Sequence, residues 1–238
     1  MASEYWKWKY RDVRPEEKKP LTAREKRKNW WHYHKWHAAA ALLLLAVAGD
    51  IAWNALSRTE PDYRIAYVGT NPLPDDTAAA LEAGFASLGE DLNGDGQVVV
   101  SLRQYASGGG ADAGAGAAAE VQLTADIMEG ESYFFLLENP EQFQRAYRSL
   151  RRLDGSLPDV DDDSAEGTCL PWEACPALAG LELGEYSYEL MGSTVTGSSR
   201  ELVSRLYLAR RGFWTERTAA NLEGCEALWN RLTEGAIP

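Results

Sequence analysis

The chain has 238 residues, 24 basic and 36 acidic, with a net charge of −12 and 45% apolar residues. That composition argues against a wholly disordered chain and against a polytopic membrane protein, and it allows one domain with attachments. The acidity also disfavours nucleic acid as a partner, because phosphate contacts need clustered Lys and Arg.

The charge is split along the chain. Residues 1–37 carry a net +6 and the remainder −18. The boundary coincides with the one long apolar stretch, Ala38 to Leu56, AAAALLLLAVAGDIAWNAL. As a helix it spans roughly 28 Å, close to the ~30 Å hydrocarbon layer of a bilayer. Trp30, Trp31, Tyr33 and Trp36 precede it and Trp53 lies near its end, as expected of amphipathic rings at the two headgroup layers. The basic flank therefore predicts a cytoplasmic tail over 1–37, a transmembrane helix over 38–56 and an extracytoplasmic domain beyond. Asp50 shortens the strictly apolar run, and Ala46-Val47-Ala48 also has the form of a signal-peptide cleavage site. The long aromatic and basic flank favours a retained signal anchor in the cell membrane. His32, His34 and His37 read as part of the headgroup-level flank rather than a metal site, with Lys35 positioned for anionic lipid.

Residues 57–62 form a short polar linker, and the domain occupies 63–238. Tyr63 to Gly69 has strand composition and ends in a Gly-Thr-Asn-Pro turn. Asp75, Asp76 and Thr77 can cap a helix whose apolar positions recur at helical spacing up to Glu90. A strand is expected over Gln97 to Tyr105, a helix over Ala118 to Met128, a buried strand over Ser132 to Glu138 and a helix over Pro140 to Leu153. Leu153 to Gly180 reads as a long acidic loop. Strand-like segments follow at Tyr186 to Thr196 and Ser204 to Arg210, and the last helix covers Thr218 to Leu232. This alternation predicts an α/β fold, a single three-layer domain with a mainly parallel sheet of about five strands. In such a sheet the default ligand crevice lies beyond the carboxyl ends of the strands, here near Thr70, Asn71, Tyr105, Glu138 and Asn139.

The most specific local motif is EDLNGDGQVV at residues 90–99. Oxygen-bearing side chains at Asp91, Asn93, Asp95 and Gln97 alternate along the chain, and Gly96 permits a sharp turn, the first half of a calcium loop. Leu102 stands where an EF-hand places its bidentate Glu. The helix-loop-strand setting resembles the calcium loop of the periplasmic glucose/galactose-binding proteins, and that resemblance implies a structural calcium ion with Asp91, Asn93, Asp95 and Gln97 as metal ligands. In that family the ninth position bears an oxygen, whereas here it is Val99. The same residues also suit an Asx-rich turn without metal.

Gly108 to Ala119 meets a dinucleotide-type glycine spacing, but so biased a segment does so by chance, and a flexible connection is the simpler reading. Cys169, Cys175 and Cys225 permit a disulfide from Cys169 to Cys175, or one from Cys175 to Cys225. The domain contains no His, no Gly-x-Ser-x-Gly elbow and no P-loop lysine, which disfavours catalysis by the commonest nucleophile arrangements. Acidic pairs such as Glu129/Glu131 and Asp161/Asp163 read as solvated surface. Trp172, Phe213 and Trp214 read as core more than as interface.

Taken with the aromatic HYHKW entry, PDYRIAYVG, ESYFFLLENPEQFQ and LYLARRGFW, the order of features resembles a group of uncharacterised single-pass membrane proteins of anaerobic Gram-positive bacteria. That resemblance implies an extracytoplasmic domain related to one lobe of solute-binding proteins. The expected function is a membrane-anchored, non-enzymatic binding or interaction domain of the cell envelope. Its partners would be the lipid bilayer and a small solute or envelope protein. The alternatives are an envelope hydrolase using paired carboxylates and a structural partner of a membrane complex.

Overall fold

The computed structural model describes residues 22–56, 60–108, 113–159, 161–190, 192–212 and 221–237. The chain divides into two compact units, Met1–Arg58 and Thr59–Pro238. The boundary thus falls before the expected linker ends, and Asp62 belongs to the folded domain.

Among the described residues, the first unit contains one helix, α1 (Ala23–Leu56). Thr22 opens it with a reciprocal cap: its hydroxyl accepts from the Glu25 N–H, and the Glu25 carboxylate accepts from the Thr22 N–H and hydroxyl. The basic-aromatic flank and the apolar stretch are therefore one continuous helix. Leu42, Leu43, Leu44 and Leu45, on every side of that helix, are all about two-thirds exposed. Among the described residues no helix is long and apolar enough to cross a membrane. The described side chains of the stretch end at Ile51, and Ala38 to Ile51 covers only about 21 Å at the helical rise.

The second unit is built on a five-stranded sheet in the order β2-β1-β3-β7-β4. Its strands are β1 (Tyr63–Gly69), β2 (Val100–Ala106), β3 (Phe134–Leu137), β4 (Cys169–Pro171) and β7 (Tyr207–Arg210). β1 pairs in parallel with both β2 and β3, whereas β7 runs antiparallel to its neighbours β3 and β4. Four strands therefore share one direction and β7 alone opposes them. β5 (Glu185–Leu190) and β6 (Ser193–Ser198) form a separate hairpin. Tyr186 to Thr196 was expected as one strand, but Gly192, at φ +79°, reverses the chain inside it.

Helices cover both faces of the sheet, so the strands lack polar alternation. On one face Ile65, Tyr67, Phe134, Leu136 and Leu208 pack with α2 (Asp75–Leu88), α5 (Pro176–Ala179) and α7 (Leu222–Thr233) through Leu81, Phe85, Leu178 and Leu228. On the other, Ala66, Phe135, Leu137 and Ala209 meet α3 (Ala113–Glu129) and α4 (Pro140–Tyr147) through Leu123 and Phe143. A short helix, α6 (Ser199–Val203), links β6 to β7. Trp172 is fully buried in the first of these cores, whereas Phe213 and Trp214 lie outside the described residues.

Three further expectations are corrected. The helix expected to reach Leu153 ends at Tyr147, because Arg148 takes the left-handed conformation at φ 46° and its N–H closes on the Gln144 carbonyl. The expected loop from Leu153 to Gly180 contains β4, a 3-10 turn at Trp172–Ala174 and α5. The cysteines are unbridged. Cys169 packs on the α3/α4 face and Cys175 on the opposite face, so the sheet stands between the two thiols. Cys225 shares the Cys175 core, also as a free thiol. Burial pushes the Cys169 and Cys175 thiols up to about 11 and the Cys225 thiol up to about 12, which keeps all three neutral and unreactive.

Candidate functional site

The helix following β1 leaves to one face of the sheet, whereas those following β2 and β3 cover the other. The carboxyl end of β1 is thus left open between α3 and α4, which is how a topological switch point makes a crevice. A cavity of about 110 Å³ lies there. Thr70, Tyr105, Glu138 and Asn139 line it, four of the five residues expected from topology. Asn71 is not on the lining, although its carbonyl accepts the Tyr67 hydroxyl at 2.8 Å.

Glu138 lines the crevice, and Tyr67, which does not line it, holds that carboxylate from the neighbouring core. One Glu138 carboxylate oxygen accepts from the Thr70 N–H at 2.7 Å, and the other accepts from the Tyr67 hydroxyl at 2.9 Å. That single hydroxyl proton lies between Glu138 and the Asn71 carbonyl. Burial, and then the neighbouring Glu138 carboxylate, push the Tyr67 phenol well above its ordinary range. Both groups cross directly over Gly69. A Cβ there would stand 2.2 Å from the Tyr67 hydroxyl oxygen and 2.8 Å from the Glu138 carboxyl carbon, so only glycine fits beneath the pair.

The walls come from the helices. α3 contributes Glu120 and Leu123, and α4 contributes Gln142, Phe143 and Tyr147. Burial, and then the Glu120 carboxylate, push the Tyr147 phenol up. Asn139 is the N-cap of α4: its side-chain oxygen accepts the Gln142 N–H at 3.0 Å. Replacing Asn139 with Ala should therefore destabilise the domain by about 1 kcal/mol, read as a shift in the urea midpoint. Tyr67, Gly69, Glu120 and Tyr147 were not among the expected site residues. Glu120 carries only a faint signal in the sequence, a single charge in an alanine-rich run before Leu123. Tyr67 reads as an ordinary inward strand residue.

The calcium motif folds as a tight loop. The Asp91 carboxylate accepts from the Gly94 N–H at 2.6 Å and the Gly96 N–H at 2.8 Å. Asn93 accepts from the Asp95 N–H, and Asp95 in turn from the Gln97 N–H. These are Asx turns, with Gly94 and Gly96 at φ +78° and +86°. The Asp62 carboxylate clamps the loop from below by accepting three further backbone N–H groups, those of Leu92, Asn93 and Val99. Because Val99 is held in this way, β2 begins at Val100 rather than at Gln97. Among the described residues no group of three or more His, Cys, Asp or Glu could hold a metal ion. Val99 and Leu102 supply no side-chain oxygen, so a calcium shell of six to eight oxygens at this loop would have to draw on backbone carbonyls and water.

The backbone N–H of Gly96, above all, holds the Asp91 carboxyl below its ordinary range. A depressed carboxylate stabilises the fold above its unfolded pKa, and that contribution disappears as pH falls through the folded value. The stability difference between the native chain and Asp91→Asn should accordingly be full above about pH 4 and fall away as pH drops further, through the lowered folded value, as followed by urea unfolding across pH.

The remaining expected acidic pairs do not gather around the crevice. Glu131 is ion-paired with Arg103, Asp161 and Asp163 are exposed, and Asp162 between them pairs with Arg152 at 2.7 Å. Glu129 lines a smaller cavity with Asp62 and Arg64. Among known proteins, no family model, no curated protein and no solved structure matches this chain.

Proposed function

We propose that this chain is a membrane-anchored binding domain that faces the extracytoplasmic side and takes a small ligand at the carboxyl end of its sheet. The observation carrying the binding role is the crevice itself. It is concave, walled by aromatic and aliphatic side chains, and carries a few polar groups fixed by hydrogen bonds, the usual construction of a small-molecule site. Its volume suits the head of a ligand rather than a whole drug-sized molecule. The anchor reading is supported by the Leu42–Leu45 run of α1, which faces all sides of the helix and is left uncovered, an arrangement unfavourable in water and favourable in lipid. By sequence the apolar stretch continues to Leu56, which brings its helical length to roughly 28 Å.

Protease added to intact cells should digest the C-terminal domain and leave the N-terminal tail protected; a protected domain, or recovery of the chain in the soluble fraction, would overturn the placement. For the crevice, thermal unfolding with a panel of small charged and neutral molecules should show a ligand-dependent rise in Tm. Ala146→Trp, which fills the cavity from an exposed position on α4, should abolish that rise.

A second reading, hydrolysis by paired carboxylates, is favoured by one observation: Glu120 and Glu138 line the same cavity. Glycoside hydrolysis uses two carboxyl groups across a cleft. Turnover of chromogenic glycosides that disappears in both Glu120→Gln and Glu138→Gln would establish it, and absence of turnover in the native chain would remove it.

A further inference from the structure

The charge and hydrogen-bonding state of the crevice narrow what it can hold. Glu120 and Glu138 bring two carboxylates to the lining, which contains no Lys, Arg or His among the described residues. An anionic ligand would therefore meet like charge and find no counter-ion. Three donors nearby are already used within the protein. The Thr70 N–H and the Tyr67 hydroxyl are directed at Glu138, and the Tyr105 hydroxyl donates to the buried Asp126 at 2.7 Å. A carboxylate offers about four lone-pair directions, so Glu138 retains acceptor capacity after receiving two hydrogen bonds. The crevice thus carries two carboxylates and no cationic side chain, its other donors being the neutral Asn139 and Gln142 amides and the Thr70 and Ser107 hydroxyls, so its charge favours a cation over an anion.

The walls add to this preference. Phe143 and Tyr147 lie 5.1 Å apart, centroid to centroid, and both line the cavity. A cation near such rings gains more where water is excluded. The negative potential already acts on the protein's own groups, since both the Tyr67 and the Tyr147 phenols are pushed up by the carboxylate beside them as well as by burial. A concave site with low-dielectric walls concentrates that potential.

We propose that the crevice binds the ammonium head of a small organic cation, with Glu120 and Glu138 as counter-charges and Tyr147 and Phe143 as the apolar wall. This rests on the crevice being a binding site, the reading given above. About 110 Å³ admits an ammonium group with a few carbons and leaves the rest of a longer molecule outside.

The test uses the full chain in nonionic detergent, with calorimetric titration at constant ionic strength. Ethylammonium and tetramethylammonium chloride are the cationic probes, glycerol the neutral one and sodium acetate the anionic one. The cations should bind and the other two should not, and added salt should weaken the binding. Glu120→Gln, on the exposed side of α3, should lower cation affinity about five- to tenfold while leaving the unfolding midpoint unchanged. Glu138→Gln should do the same, with a lowered midpoint because Glu138 also holds Thr70 and Tyr67.

Binding of glycerol or acetate as strongly as the cations, or cation binding indifferent to Glu120→Gln, would overturn the cationic assignment. If the bound probe were then still lost in Ala146→Trp, the crevice would stand as a site for another class of ligand. Absence of binding by every probe would overturn the cationic assignment, and failure of the broader panel to raise Tm would remove the crevice reading with it.

Discussion

Asp126→Ala should be among the most damaging single substitutions in this protein, lowering stability by about 3–5 kcal/mol, which for a domain of this size lowers Tm by roughly 10 °C. The Asp126 side chain is fully buried and faces the Arg211 guanidinium, itself buried, at 3.7 Å. Its carboxylate also accepts from the Tyr105 hydroxyl at 2.7 Å, the Ser132 hydroxyl at 2.6 Å and the Ser132 N–H at 2.9 Å. Arg211 in turn donates to the carbonyls of Ser132, Ile127 and Asp126, so it caps the carboxyl end of α3 while holding the turn into β3. Removing the carboxylate leaves a buried cation without its counter-charge and three donors without their acceptor, and unpartnered buried groups are the costly ones. The double variant Asp126→Ala, Arg211→Met should lose less than the sum of the single losses. Urea unfolding of the four proteins of that cycle measures the coupling, and strict additivity would show that the two groups act independently.

Asp62→Ala should have the next largest effect, about 2–4 kcal/mol, because one carboxylate serves the N–H groups of Leu92, Asn93 and Val99 at 2.8, 3.1 and 2.8 Å. The loss should be local before it is global. In native-state hydrogen exchange the amides of Leu92, Asn93 and Val99 should exchange faster than in the native chain, while those of Phe134 to Leu137 in the central strand stay protected until the whole domain unfolds. Uniform acceleration across the sheet would mean that Asp62 stabilises the domain as a whole rather than this loop.

The sequence was most readable where local chemistry and burial agreed. Tyr63 to Gly69 was expected as a strand and is one over the same residues, because Pro61 and the Gly-Thr-Asn-Pro turn bound a segment that is apolar apart from Arg64. The place of the cavity followed from the alternation of strands and helices, since in a mainly parallel sheet the carboxyl ends of the strands gather at one edge whatever the side chains do. What escaped depended on distant partners. Asp62 read as linker because nothing near it in the chain shows that a loop thirty residues on will bring three N–H groups to it. β4 has three residues and ends in Pro171, too short for any periodicity, and it exists only because β7 offers an edge to pair with. The end of α4 carries neither Gly nor Pro, and Arg148 takes a conformation usually left to glycine.

The position of β7 bears on how the domain can be made. It enters the sheet between β3 and β4, although residues 207–210 come long after both in the chain. Until that segment is available, Phe134 to Leu137, four consecutive buried residues, has a bare hydrogen-bonding edge where β7 will later sit. An unpaired apolar edge is a template for pairing with another chain. Polypeptides cut short before Tyr207 should therefore accumulate as aggregates rather than as smaller folded domains. During synthesis the sheet can be completed only after most of the protein has already emerged.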